Sequence, residues 1–242
     1  MAYFPDTTSS DVGVTPFMMV QRIVTVLTVG LVIGAVTAVA AIAFVEAVLW
    51  LNDLLLVSSY AKVQSGLSRT ARLAITLAVP MCGGALVSFI VFRLAPIHRP
   101  AGPADAIRAV QLQTPMPDTR SGLLVTLDAL GSLGVGASVG QYGPMVFLGA
   151  VIGGMVEKLK LAVPNINAIA IACGVAASIS AAFNAPIAGL VFAHEAILRH
   201  YSMQSFAPVT IASTVGYVVA NVLFERAPVF VVQIGVSLHV PE

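Results

Sequence analysis

The sequence has few charged residues. Asp, Glu, Lys and Arg make up 10% of its 242 residues, whereas about 25% is usual for a soluble domain. Apolar residues make up 58%, and many stand in runs long enough to cross a bilayer. This composition excludes an ordinary soluble domain and indicates a polytopic membrane protein. A net charge of +1 gives no basic surface for a nucleic acid, so we expect no such partner.

Cysteine is scarce as well. Cys82 and Cys173 are the two cysteines of the sequence, and both stand in apolar runs without metal-ligand spacing. We interpret them as buried thiols and expect neither a metal nor a cofactor. Residues 1–16 lack a basic segment and a small-residue cleavage site, so we interpret them as a polar tail rather than a signal peptide.

The apolar segments lie within residues 17–224, which we predict to be one all-α transmembrane unit. The first span, Phe17–Leu51, exceeds the roughly 20 residues that cross a bilayer, so this helix is tilted or protrudes. A second span runs from Arg72 to Leu94, and a short helix begins near Ala104. The later predicted spans are Gly122–Ala137, Pro144–Leu159, Asn167–Phe183, Pro186–His200 and Phe206–Phe224. Several are short and broken by Gly and Pro, which indicates a substrate site built from broken helices.

The stretch Gly136–Ala150, "GASVGQYGPMVFLGA", concentrates glycine and proline inside an apolar region. A proline just inside a helix start loses nothing, because that N–H has no intrahelical partner. The start then presents free N–H groups and about half a unit of positive charge. We therefore predict that the helix starts near Pro103, Pro144 and Pro186 suit an anion. The alternative interpretation is a glycine-rich helix-packing face with a kink.

Three segments together resemble a known family. The stretch "GASVGQYGPMVFLGA" resembles the Gly-Lys/Arg-Glu-Gly-Pro signature of the chloride channel (CLC) family. "AAFNAPIAGLVFAHE", Ala181–Glu195, is similar to a second motif of that family, and "PAGPADAIRA", Pro100–Ala109, stands in the place of its first chloride-binding motif. The order and spacing agree over about Arg22 to Phe224. The resemblance implies a non-enzymatic plasma-membrane protein that transports chloride.

The resemblance also implies where the anion binds. The amides of Gly140, Gln141, Tyr142 and Gly143 would line the site, together with the helix start at Pro144. The half-helix start at Ala101 and Gly102 would contribute from the first motif. These positions constitute the predicted anion site.

This sequence departs from the family's pattern at three of its functional positions. The gate glutamate falls on Tyr142, the chloride-coordinating serine on Ala101 and the inner proton glutamate on Ala196. Because proton-coupled exchange needs titratable carboxylates, these departures predict channel-like permeation of chloride or similar anions without proton coupling.

The resemblance covers the first half of a family subunit, whose two halves are related by inverted topology. We interpret residues 225–242 as a tail or as the start of a missing second half. The predicted partners are membrane lipid and either a second copy of the chain or a second CLC half.

Three alternatives remain open at this point. A proton-coupled exchanger could use other acids, such as Asp128 or Glu195. An intramembrane serine protease is suggested by Gly-x-Ser-x-Gly at Gly136–Gly140 with His194 downstream, although no strand precedes the serine as a nucleophile elbow requires. The chain could also be a non-conducting structural or assembly fragment.

Overall fold

The computed structural model describes residues 16–56, 68–94, 102–117, 119–137, 140–161 and 163–224. Within these ranges the chain is helical, with no strand, so the all-α prediction is confirmed. The α-helices are α1 Pro16–Leu56, α2 Arg69–Leu94, α3 Pro103–Gln111, α4 Thr119–Gly134, α5 Tyr142–Gly154, α6 Ile166–Phe183, α7 Pro186–Phe192 and α8 Met203–Phe224. A 3₁₀ segment, Met155–Leu159, continues α5, and a π-helical segment, Ala193–Leu198, continues α7.

Each predicted span corresponds to a helix, but the ends differ by a few residues. The span predicted to end at Ala137 ends at Gly134, because the chain turns at Gly136 with a φ of 94°, a conformation that favours glycine. The helix predicted to begin at Pro144 begins at Tyr142. Proline is tolerated throughout the first turn of a helix, where its missing N–H is not needed, so it does not fix the first residue.

Among the described helices, three are long and apolar enough to cross a membrane. They are Met19–Leu55, Ile166–Phe183 and Met203–Val222. The helix α1 has 41 residues and is therefore about 60 Å long, twice the roughly 30 Å of a hydrocarbon core. Its length agrees with the prediction of a tilted or protruding first span.

Helix α6 lies at the centre of the fold and packs against α1, α5, α7 and α8. Every residue from Ile169 to Ala182 is buried. Most of these residues are Ala, Gly, Ser or Cys, which let neighbouring helix backbones approach closely in a membrane protein. A helix that is apolar on all sides is typical of a fully surrounded position.

The crossing of α5 and α6 brings two backbones into direct contact. A Cβ atom on Gly149 would overlap the carbonyl group of Gly174 and lie 2.7 Å from the Ser178 Oγ. A Cβ atom on Gly174 would in turn overlap the carbonyl group of Gly149. The position of α5 relative to α6 is therefore fixed by glycine at this crossing.

The two cysteines differ in their surroundings. Cys173 is buried in α6, whereas Cys82 is exposed on α2. The interpretation of both as buried thiols is wrong for Cys82, because among the described helices α2 packs mainly against α4 and more weakly against α1. An apolar sequence run does not distinguish a helix surrounded by protein from one with an open face.

Candidate functional site

The first turn of α5 contains the central residues of the predicted anion site. Gly140 has a φ of 77°, which turns the chain into the helix at little steric cost. Met145 N–H donates to the Gln141 carbonyl at 3.2 Å, so the N–H groups of Tyr142 and Gly143 precede the first intrahelical bond. In the described part of the chain, Gln141 is the N-cap residue of α5, and no side-chain hydrogen bond caps this helix start. The first turn of α5 therefore offers the free amides of Tyr142 and Gly143, and the positive end of the helix dipole, to an anion.

Gly140 and Gly143 do not serve close helix packing. A Cβ atom on Gly140 would meet nothing within 4 Å, and one on Gly143 would lie 3.8 Å from the nearest atom, in the Pro103 ring. The packing interpretation holds instead for Gly149 of the motif and for Gly153 just beyond it, whose added Cβ atoms would overlap the backbone of α6. The motif thus divides into an open start and a packed body.

The start of α3 lies beside the start of α5. The helices α3 and α5 pack against each other, and a Cβ atom added to Gly143 would lie 3.8 Å from the ring of Pro103, the first residue of α3. The structure therefore brings together two of the predicted half-helix starts, those at Gly102 and at Gly143. Ala101 lies outside the described residues.

The start of α3 is already occupied by a carboxylate. Gly102 N–H donates to the Asp105 Oδ2 at 2.9 Å, and Asp105 N–H donates to the Gly102 carbonyl at 2.9 Å. An acidic side chain at the third helical position is a usual partner for the N-cap amide, a local pattern that was not among the sequence predictions. An anion at α3 would have to share the Gly102 amide with Asp105, whereas in the described part of the chain no side chain makes a cap hydrogen bond at the N-cap of α5.

Two phenylalanines surround Tyr142. Its ring lies 5.5 Å from the Phe192 ring at 86° and 6.2 Å from the Phe183 ring at 49°. Phe183 is the last residue of α6 and Phe192 is the last residue of α7. The sequence pattern places Tyr142 in the pathway but indicates neither phenylalanine, although both stand in the motif Ala181–Glu195.

Ala196 lies in the π-helical segment, which follows the start of α5 by about 50 residues in the sequence. Its carbonyl accepts a hydrogen bond from the Gln111 Nε2 at 3.4 Å, which ties the segment to the end of α3 rather than to its start. Ala196 is partly buried and Glu195 is exposed. Asp128, on α4, is partly buried.

His194 is fully buried two residues before Ala196. Its Nδ1 lies 3.1 Å from the Leu190 carbonyl, and its ring stacks on Tyr201 at 5.1 Å. Its Nε2 has no hydrogen-bond partner among the described residues. Ser138, the serine of the alternative protease motif, lies outside the described residues.

A family model described as "Voltage gated chloride channel" matches residues 83–242. The match continues past Phe224, where the sequence analysis ended its transmembrane unit. A ClcB-like chloride channel protein of Ralstonia nicotianae is 32% identical over 206 residues, which are 82% of this chain and 47% of that protein. An H⁺/Cl⁻ exchange transporter, ClcA, of Yersinia pseudotuberculosis is 32% identical over 202 residues, 79% of this chain and 41% of that protein.

Solved structures show the same fold. A slow cyanobacterial Cl⁻/H⁺ antiporter superposes with a TM-score of 0.70 at 23% identity, covering 84% of this chain and 48% of that one. A eukaryotic CLC transporter gives 0.66 at 22% identity, covering 85% and 39%. The chain spans about half the length of the curated relatives it matches. Members of the family that these matches identify are channels and transporters rather than enzymes, so the serine protease alternative is set aside. The chain is an integral membrane protein and belongs to the voltage gated chloride channel (CLC) family.

Proposed function

We propose that this chain forms one half of a transmembrane pathway for chloride or a similar anion, and that permeation is channel-like. The observation that carries the proposal is the start of α5, where the amides of Tyr142 and Gly143 precede the first helical hydrogen bond. No side chain caps that end from Gln141 in the described structure. Such a start attracts anions through its amides and through the helix dipole.

The side chains at the two proton-carrying positions of the family support transport without protons. Tyr142 has a phenol, whose ordinary pKa of about 10 keeps it neutral near pH 7. Ala196 has no titratable group at all. Neither side chain can alternate between a charged and a neutral carboxyl group as a proton carrier would.

Proton-coupled exchange is the second candidate, and a specific observation favours it. The Yersinia relative named as an H⁺/Cl⁻ exchange transporter is as similar to this chain, at 32% identity, as the ClcB-like channel protein. An exchanger built on this chain would need other acids, and Asp128 and Glu195 are the candidates. Exchange would then depend on one of these carboxylates.

The deciding experiment reconstitutes the assembly that contains this chain into liposomes with a chloride gradient. A chloride electrode and an external pH electrode record both fluxes together. We expect chloride efflux with no accompanying proton movement when potassium and valinomycin clamp the voltage. Proton uptake in fixed ratio to chloride, abolished by Asp128→Asn or Glu195→Gln, would contradict the proposal and establish exchange.

The location of the anion has its own test. A crystal of the assembly soaked in bromide should show anomalous density next to the amides of residues 140–144. A well-ordered map without density there would contradict the assignment of the α5 start. Density beside Gly102 alone would move the site to α3.

The chain reconstituted without a second half tests the half-pathway part of the proposal. Helix ends that face lipid leave backbone groups unpaired, each at a cost of several kcal/mol. We therefore expect purified residues 1–242 to be silent in the flux assay unless they associate with a second half. Robust flux from the chain alone would show instead that two copies complete the pathway as a homo-oligomer.

A further inference from the structure

Three aromatic side chains from three different helices meet at the start of α5. Tyr142 belongs to its first turn, Phe183 ends α6 and Phe192 ends α7. We call Tyr142, Phe183 and Phe192 the aromatic cluster. Tyr142 is 42% exposed, so burial alone does not hold its ring. In the described structure its ring contacts the rings of both phenylalanines.

The contact with Phe192 has the more favourable geometry of the two. Its centroid distance of 5.5 Å and interplanar angle of 86° describe an edge-to-face pair. Aromatic rings prefer this arrangement because the positive edge of one ring meets the negative face of the other. The contact with Phe183 is longer, at 6.2 Å, and tilted. Phe192 is therefore the stronger determinant of where the Tyr142 ring lies.

The helix that carries Phe192, α7, is bonded to α8. The Ser213 Oγ donates to the Pro186 carbonyl, in the first turn of α7, at 2.6 Å. Just before α7, the Asn184 and Asn221 side-chain amides bond reciprocally, at 2.6 and 3.3 Å. These bonds attach the start of α7 to α8 and thereby hold the backbone from which the Phe192 side chain projects.

We propose that Phe192 is a positioning residue for the anion pathway: it holds the Tyr142 side chain at the start of α5 and thereby sets how readily an anion reaches the amides there. The inference rests on the proposed function. Its structural part, that Phe192 restrains the Tyr142 ring, does not require transport. Phe183 contributes to the same restraint through its tilted contact.

The test compares Phe192→Leu, which removes the ring but keeps an apolar side chain, with Phe192→Tyr, which keeps the ring. In the conducting assembly we expect Phe192→Leu to raise chloride flux about two- to tenfold, the range set by the loss of an aromatic pair. Phe192→Tyr, which keeps the aromatic ring, should give the same chloride flux as the unaltered protein. Phe89→Leu, at an exposed ring on α2, is the matched control and should change nothing.

A double-mutant cycle shows whether Phe192 acts through Tyr142. Contacting residues give non-additive effects, so Phe192→Leu should add nothing to the flux of Tyr142→Ala. Equal increases by Phe192→Leu with and without the Tyr142 ring would overturn the inference.

A readout independent of flux completes the test. With 3-fluorotyrosine at position 142, Phe192→Leu should shift and sharpen the ¹⁹F NMR resonance in detergent, whereas Phe89→Leu should not. An unaltered resonance in Phe192→Leu, in an assembly that conducts, overturns the inference and leaves the proposed function standing. An assembly that contains both halves and carries no chloride in any variant overturns the proposed function and the inference together.

Discussion

The contact between α5 and α6 can be tested by adding one methyl group, with Gly174→Ala. The new Cβ would overlap the Gly149 carbonyl and lie 3.2 Å from the Gly153 nitrogen. Both obstacles are backbone atoms, which cannot rotate away, so the helices must separate. Overpacking typically destabilises the folded state by about 1–3 kcal/mol. The higher helix propensity of alanine offsets about 1 kcal/mol of this loss. Because the overlap is with backbone, we take the upper part of that range and expect a net destabilisation of about 1–2 kcal/mol.

The assay is the melting temperature of the purified protein in detergent. For a chain of this size, 1 kcal/mol corresponds to about 2–4 °C, so Gly174→Ala should lower the melting temperature by about 2–8 °C. Gly84→Ala is the control, since its Cβ would meet nothing within 4 Å. It should leave the melting temperature unchanged or raise it slightly. Equal melting temperatures for the two variants would refute direct backbone contact between α5 and α6.

Three further variants test the site and its surroundings. Tyr142→Glu should reduce chloride flux at pH 7, because its carboxylate competes for the α5 amides. The flux should recover as the pH falls and the carboxylate, whose ordinary pKa is about 4.3, becomes protonated; a flat pH profile contradicts this. Asp105→Asn should raise chloride affinity about two- to fivefold in calorimetry, since it removes a charge worth roughly 0.3–1 kcal/mol at the start of α3. Unchanged affinity would place the ion away from α3. His194→Phe should raise the melting temperature slightly, because removing the unpaired buried Nε2, which costs about 1–3 kcal/mol, outweighs the loss of the Nδ1 contact with the Leu190 carbonyl; an unchanged or lower value would contradict that balance.

The helical spans could be predicted from the sequence because hydrocarbon leaves the backbone few choices. Inside a bilayer every N–H and C=O must be paired within the protein, so a long apolar run becomes a helix. Glycine and proline then indicate where helices break. Their exact first residues could not be read from proline, which is equally acceptable at Pro103 in the first position of α3 and at Pro144 in the third of α5.

The surroundings of Tyr142 could not be predicted, because they depend on tertiary packing. Phe183 and Phe192 are distant from Tyr142 in the chain, and only the packing of α6 against α5 and α7 brings the rings together. The Asp105 cap on Gly102 is different. An acidic residue three positions after the N-cap is a local pattern, and it was visible in "GPAD". The Asp105–Gly102 contact could therefore be predicted from the sequence, whereas the aromatic cluster could not.

The same residue type serves two opposite purposes along α5. Gly140 and Gly143 stand in open space or in loose contact, and their value is an accessible backbone at the helix start. Gly149 and Gly153 stand where any side chain would overlap α6, and their value is close packing. The proposed ion site and the packing face are therefore compatible, because they use different glycines. The packed glycines hold α5 rigidly on the buried α6, and that attachment fixes where the amides at its start lie.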